Sequence, residues 1–280
     1  MNKLNVLVFG HKGKYAPFLT NFFPTSEYEV RGIDRGDKCG VKLVRWADIV
    51  LFSVRPIKSI PSIMRRLLAN RPENQLWIEI ASRKSEIHNL IKKHKINNVL
   101  SIHPMRRPPT SGTLKGSNIV VVMRPESGTR WDEWTESFLS ALEGNITSVD
   151  ANTHEKLVVA YGQGLTHNLL WLLTAVLKQQ NIKLEEIIPV SSPLFRIILS
   201  LSGRMLQGDA GLYGELQIDN EHALSMLDTL ENLLRSLRKK IARGDLGAFS
   251  KTFSSARDYI GEARLKELAL QSEQLVKVVS

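Results

Sequence analysis

From Leu157 to Leu177 the sequence carries no Lys, Arg, Asp or Glu. That stretch is long enough to cross a bilayer. Its middle, however, reads Gly162-Gln163-Gly164-Leu165-Thr166-His167-Asn168. Placing four polar side chains in hydrocarbon would be unfavourable by kilocalories each. The spacing instead predicts a helix buried on most of its circumference, covered by other helices of its own chain or of a partner subunit. Gln163, Thr166 and His167, spaced by three and four, share one side of such a helix. Singly, each is what a hydrogen-bonded core polar looks like. Clustered in the middle of the most buried helix, they point to a site facing a substrate.

The rest of the chain must supply that cover. A length of 280 residues suffices for two domains, and 42% hydrophobic with 24% charged residues is the balance of a soluble globular protein. The opening residues through Gly10 read as a first strand, so no export signal is expected. Cys39, the single cysteine, excludes an internal disulfide and a cysteine-based metal cluster. It fits a reducing cytoplasm, and no metal is expected. A net charge of +10 raises nucleic acid as a partner. The basic residues are scattered, as in Lys92-Lys93-His94-Lys95 and Arg235 to Arg243, with little aromatic interleaving. A solvated basic surface, or attraction for small polyanions, accounts for them better; neither nucleic acid nor a membrane is expected.

In chain order, Asn5 to Phe9 is a short apolar run of parallel-strand type that ends in Gly10. Gly10-His11-Lys12-Gly13 followed by helical spacing through Phe22 is the phosphate-binding turn of a dinucleotide fold. With Gly13 as the glycine that approaches the pyrophosphate, His11 stands at the tight-turn position and Ala16 at the packing position. The next strand, Tyr28 to Ile33, ends in Asp34, where an acid binds a ribose 2′-hydroxyl. This favours NAD, although Arg35 beside it could pair with the 2′-phosphate of NADP. Further strands are predicted at Asp48 to Val54, Gln75 to Ile80, Asn98 to Ile102 and Asn118 to Met123. Helices are predicted at Ile57 to Leu68 and Ser85 to His94, giving a doubly wound parallel sheet with ligand loops at its strand C-termini.

Three strand ends carry polar groups: Ser53-Val54-Arg55-Pro56, Ala81-Ser82-Arg83-Lys84, and Ser101 to Pro108. His103, expected just past its strand, is the candidate general base because imidazole titrates near neutrality. Ser82 could bind substrate or nicotinamide, or could simply cap the following helix. A helix from Trp131 to Leu142 and a strand or connector at Asn145 to Asp150 close this part. Beyond it only helices are expected: Asn152 to Gln180, Pro193 to Gln207, Ala210 to Ile218, Glu221 to Ala242, and Leu246 to Val278, the last broken near Gly261. The domains expected are therefore 1–150, dinucleotide-binding, and 151–280, all-helical.

Ala81-Ser82, His103-Pro104-Met105, His154-Glu155 and Gln163-Gly-Leu-Thr-His167 are similar to motifs of the TyrA-type prephenate dehydrogenases. Ser191-Ser-Pro-Leu-Phe-Arg196, Ser202-Gly-Arg204 and Asp209-Ala-Gly-Leu-Tyr213 extend the resemblance over nearly the whole chain, without the chorismate mutase module fused to some relatives. It implies a cytoplasmic homodimer that oxidatively decarboxylates prephenate to 4-hydroxyphenylpyruvate, using NAD. His103 would draw off the proton of the ring hydroxyl, and Ser82 would help hold that hydroxyl. Arg204 would clamp a carboxylate, with His167 and Gln163 lining the pocket. Gly10, His11, Lys12, Gly13, Asp34, Arg35, Val54 and Arg55 would surround the cofactor.

The departures cluster around cofactor and ring. Arg106-Arg107-Pro108 replaces the family's Phe-Gly-Pro, and two guanidinium groups there could lower the pKa of His103 or recognise an extra anion. His11 stands in the glycine turn, and Arg55 stands where the family tends to place proline. A shifted substrate, arogenate or 4-amino-4-deoxyprephenate, is one consequence to weigh. A catalytically impaired relative that senses a ligand or binds a partner is another.

Overall fold

A computed structural model describes residues 3–38, 40–109 and 112–279. Cys39 lies outside the described residues. The chain divides into two compact units, Met1–Val159 and Ala160–Ser280. The division falls inside the helical run that begins at Ala151, because the first turns of that run are tied to the sheet.

In the first unit, strands β1 (Leu4–Phe9), β2 (Tyr28–Ile33), β3 (Ile49–Phe52), β4 (Leu76–Glu79), β5 (Val99–Pro104), β6 (Asn118–Met123) and β7 (Asn145–Ser148) form one sheet. Its order is β2-β1-β3-β4-β5-β6-β7. β2, β1, β3, β4 and β5 run parallel, and β3 and β4 are buried along their whole length, as expected of strands covered on both faces. β6 departs from the all-parallel expectation: it pairs antiparallel to β5, with His103 opposite Val120 and Pro104 opposite Ile119. Antiparallel neighbours need no crossover helix between them. β7 then pairs parallel to β6.

Helices α1 (Ala16–Thr20), α2 (Val41–Trp46), α3 (Ser59–Leu68), α4 (Ser85–Lys93) and α5 (Arg130–Ala141) connect the strands. Phe18, Phe23, Trp131 and Phe138 pack with Val6, Val8, Leu51 and Ile78 in a single buried cluster. Strand order reverses beside β1, whose neighbours are β2 and β3, so the crevice past the ends of β1 and β3 is the topological switch point of the sheet.

The second stretch is helical throughout, but its long first helix is not the regular α-helix expected. A short α6 (Ala151–Thr153) leads into a π-helix at His154–Leu165, and α-geometry resumes only in α7 (Thr166–Gln179). Wide π-turns are rare and recur at functional sites. There follow α8 (Leu184–Ile187) with a 3₁₀ turn at Ile188–Val190, then α9 (Pro193–Leu206), α10 (Ala210–Gln217) and α11 (Glu221–Ala242). α12 (Leu246–Ile260) and α13 (Glu262–Val279) are separated at Gly261, whose φ of +80° breaks the helix as anticipated. Leu157, Leu169, Trp171 and Val176 are exposed, so the chain alone does not cover the apolar run from which it was argued to be the most buried helix. No described helix is long and apolar enough to cross a membrane.

Candidate functional site

Gly10 follows β1 with φ +79°, and a Cβ there would stand 2.3 Å from the carbonyl oxygen of Ser53 and 3.2 Å from Cα of Val54. The tight-turn conformation thus falls on Gly10, one residue earlier than assumed, and His11 is spared it. Gly13 N–H donates to Gly10 O at 2.9 Å, closing the turn. Asp34 comes to the same place from the end of β2, and its Oδ1 accepts from the Lys12 amide at 3.4 Å. His11 Nδ1 lies 2.6 Å from Asp34 Oδ2, and its ring lies over Gly32, where a Cβ would be 2.1 Å from Cγ. A glycine turn without side chains, set against the β3 end and beside an acid, fits a dinucleotide; His11 is the departure, since it occupies one oxygen of the ribose-type acid. Arg35 and Arg55 are exposed at the flanks, and Val54 is half-buried.

His103 is not past β5 but within it, because pairing with β6 extends the strand through Pro104. It is 3% exposed and its Nδ1 lies 2.9 Å from Nε2 of His154, which is fully buried. The rings are tilted by 55° with centroids 5.1 Å apart. Burial, followed by the charge of Lys84, pushes His103 down to about 3. The expectation of a base titrating near neutrality is therefore corrected. The lowering predicted from Arg106 and Arg107 is present but has another source: Arg106 reaches toward Ser117 Oγ at 3.5 Å, and its carbonyl accepts from the Tyr15 hydroxyl. Both arginines are exposed.

Beneath β5 lies a polar network that sequence reasoning missed. Lys84 is fully buried; its Nζ donates to Glu79 Oε1 at 2.7 Å and to Ile102 O at 2.8 Å. The Glu79 carboxylate also accepts from Ser101 Oγ and from the Ala81 amide, and His88 Nε2 lies 3.2 Å from Ser101 Oγ. Burying two charges is tolerable only with this degree of pairing. Burial, then Lys84 and Lys92, lowers His88 to about 4, and burial with Lys84 as the next cause lowers His154 to about 2.

Ser82, half-buried, does not cap α4. Glu155 does so from a distance: its Oε1 accepts from Lys84 N at 2.5 Å and Ser85 N at 3.1 Å, and its Oε2 lies 2.7 Å from Arg83 Nε. In the sequence His154 and Glu155 stand out only as part of a motif. No local pattern links them to residues fifty or seventy positions earlier.

In the second unit, His167 lies edge-on to Tyr213 at 4.7 Å between ring centres. Its Nδ1 and Gln163 Oε1 are buried atoms with no hydrogen-bond partner among the described residues. Asn168 is a core polar, donating to Gln217 Oε1 at 2.6 Å and accepting from Trp171 Nε1 at 3.1 Å. Thr166 is exposed, as is Arg204 in the last turn of α9. Among the described residues, no group of three or more His, Cys, Asp or Glu could hold a metal.

A Rossmann-like sheet with a glycine turn at its switch point, followed by an all-helical unit, defines a protein built like a two-domain dinucleotide-dependent enzyme. Residues 150–255 match the family model described as prephenate dehydrogenase, dimerization domain. The T-protein of Haemophilus influenzae is 26% identical over 274 residues, covering 97% of this chain and 71% of that protein. A protein of Methanocaldococcus jannaschii named "Probable arogenate/prephenate dehydrogenase" is 24% identical over 238 residues, 84% of this chain and 53% of its own. Among solved structures, A. aeolicus prephenate dehydrogenase, in complex with hydroxyphenyl propionate and NAD+, superposes with a TM-score of 0.65 at 16% identity, covering 93% of this chain and 99% of that one. Synechocystis arogenate dehydrogenase gives 0.64 at 15% identity, with 91% and 98% covered. Residues 150–255 thus carry that family's domain, and over most of its length the chain is similar to proteins named T-protein and arogenate/prephenate dehydrogenase.

Proposed function

We propose that the protein is an NAD-dependent prephenate dehydrogenase that forms 4-hydroxyphenylpyruvate in tyrosine biosynthesis, as a cytoplasmic homodimer. The observation that carries this reading is His103, an imidazole buried within β5 whose pKa burial and the charge of Lys84 hold well below the ordinary value. With a pKa pushed down to about 3, it needs no deprotonation before accepting a proton at physiological pH. Ser82 and His103 take the ring hydroxyl. Arg204 pairs with a carboxylate through a two-pronged contact, and His167 and Gln163 offer the buried polar atoms that lack partners. Gly10, His11, Lys12, Gly13, Asp34, Arg35, Val54 and Arg55 surround the dinucleotide, which supplies the hydride acceptor. The hydroxyl proton passes to His103 as hydride leaves the carbinol carbon. The bond to the ring carboxylate then breaks, carbon dioxide departs, its bonding electrons make the ring aromatic, and the phenolate oxygen so formed takes the proton back from His103. No other group need be charged or reduced, so positioning and one base suffice.

A second reading keeps the chemistry and changes the substrate to arogenate or 4-amino-4-deoxyprephenate. Arg106 and Arg107, which replace apolar and glycine residues of the family three and four positions after the base, are the departures that raise it. The contact of His11 with Asp34 bears on cofactor choice, since it occupies an oxygen that would otherwise face the ribose; NADP is therefore tested alongside NAD. Purified protein assayed with all three substrates under both cofactors decides. Reduced-nicotinamide absorbance with prephenate and NAD is expected, and His103→Asn should remove at least about 100-fold of the rate with cofactor affinity kept. Absence of turnover in every combination ends the enzyme reading and leaves that of a ligand-sensing relative.

A further inference from the structure

His154 has no role in the reading above, yet its ring is fully buried and faces the one nitrogen of His103 that the reaction does not use. Its backbone is held on both sides. Asp150 caps α6 by accepting from the Thr153 amide, and the neighbouring Glu155 binds the Lys84 and Ser85 amides and stands against Arg83. The charged and titratable groups around the pair are Lys84 and Arg83, with His88 next to them and Glu79 and Glu155 as the counter-charges. Both imidazoles are neutral at physiological pH, so a single proton lies between Nδ1 of one and Nε2 of the other. Where it sits fixes both tautomers. Carried by His154, it forces His103 to keep its own hydrogen on Nε2, and His103 then cannot act as a base there. Carried by His103 Nδ1, it leaves Nε2 bare and able to accept, and puts the hydrogen of His154 on its buried Nδ1, which has no partner among the described residues.

We propose that His154 is a positioning residue for His103: its Nε2 accepts the Nδ1–H of His103, which locks the tautomer whose Nε2 is free to take the substrate proton. The catalytic consequence rests on the dehydrogenase reading; the tautomer does not. The lock acts as the acid of a hydrolase triad does, by holding an imidazole in the right tautomer and orientation, with a neutral ring in place of a carboxylate. A neutral acceptor suits this position, because a carboxylate beside Lys84 would join the buried ion pair with Glu79.

The tautomer is read directly from nitrogen-15 histidine spectra of the full chain, with His103→Asn assigning the signal. A pyridine-type Nε2 and a protonated Nδ1 on His103 are expected in the wild type. His154→Gln places an amide oxygen where Nε2 was and should keep that tautomer. His154→Leu fills the space without an acceptor and should give a mixture. With the turned-over substrate, kcat should fall about 100-fold in His154→Leu and less than about 10-fold in His154→Gln, with KM and cofactor affinity unchanged in both. A protonated Nε2 on wild-type His103, or equal losses in the Leu and Gln variants, would overturn the proposal. Spectra as expected in a protein that turns over no substrate would uphold the positioning role and end the dehydrogenase reading alone.

Discussion

A methyl group on Gly10 would collide with the Ser53 carbonyl, and the residue's φ of +79° belongs to the region that side chains avoid. Gly10→Ala should therefore destabilise the first unit by at least about 2 kcal/mol and weaken dinucleotide binding with it; urea unfolding and cofactor titration measure the two effects. His103 makes a different kind of prediction. Its pKa of about 3 lies below the ordinary value because burial opposes the charged form. A neutral base is present above the folded pKa, so its contribution to the rate should stay flat from pH 8 to pH 5. A rate that halves near pH 6.5 and tracks one group would show an imidazole exposed to water. Both residues were legible as candidates, Gly10 from the strand–turn–helix pattern and His103 from its strand. The environment that sets their behaviour was not. The Ser53 carbonyl and the His154 ring arrive from elsewhere in the chain.

At the scale of elements, β4 and α4 are joined by the Glu79–Lys84 pair, and α4 is anchored to the start of the helical run by Glu155. Lys84→Met leaves a buried carboxylate without its cation and should lower stability by about 3–5 kcal/mol. The double variant Glu79→Gln/Lys84→Met removes both charges and should recover most of that loss in thermal melts. Acid acts on the same layer. His88, His103 and His154 have folded pKa values below the ordinary 6.5, so below that pH the unfolded chain takes up protons that the folded chain refuses. Stability present above pH 6.5 is lost as pH falls. With three protons taken up on unfolding, the slope approaches about 4 kcal/mol per pH unit between pH 5.5 and 4.5. Denaturant midpoints that do not move in that window would contradict the burial of these rings. Apolar runs revealed most strands and helices, and Gly261 revealed the last break. The π-helix at His154–Leu165 gave no sign in the residue spacing.

At the scale of the whole molecule, Leu233, Leu234, Leu237 and Ile241 on α11 are all exposed, as are Phe249 and Phe253 on α12. Exposed apolar surface at this density marks an interface, and residues 150–255 match a dimerization domain. Sedimentation should give twice the mass of the 31.6 kDa chain. A charged pair at Leu234 and Leu237 should shift the species toward monomer if α11 lies in the interface. A monomer at every concentration in the unaltered protein would count against a homodimer.

The sequence alone determined what local pattern can carry: the alternation of apolar strands with amphipathic helices, the glycine turn, the all-helical second half and the motifs shared with relatives. Tertiary structure decided the rest. It ran β6 antiparallel and so drew His103 into β5, buried Lys84 with Glu79, closed His11 onto Asp34 and set His154 against His103. Each of these depends on groups brought together from distant parts of the chain, in surroundings without water. There the strength of a charge pair and the placement of a proton depend on neighbours that no stretch of sequence contains.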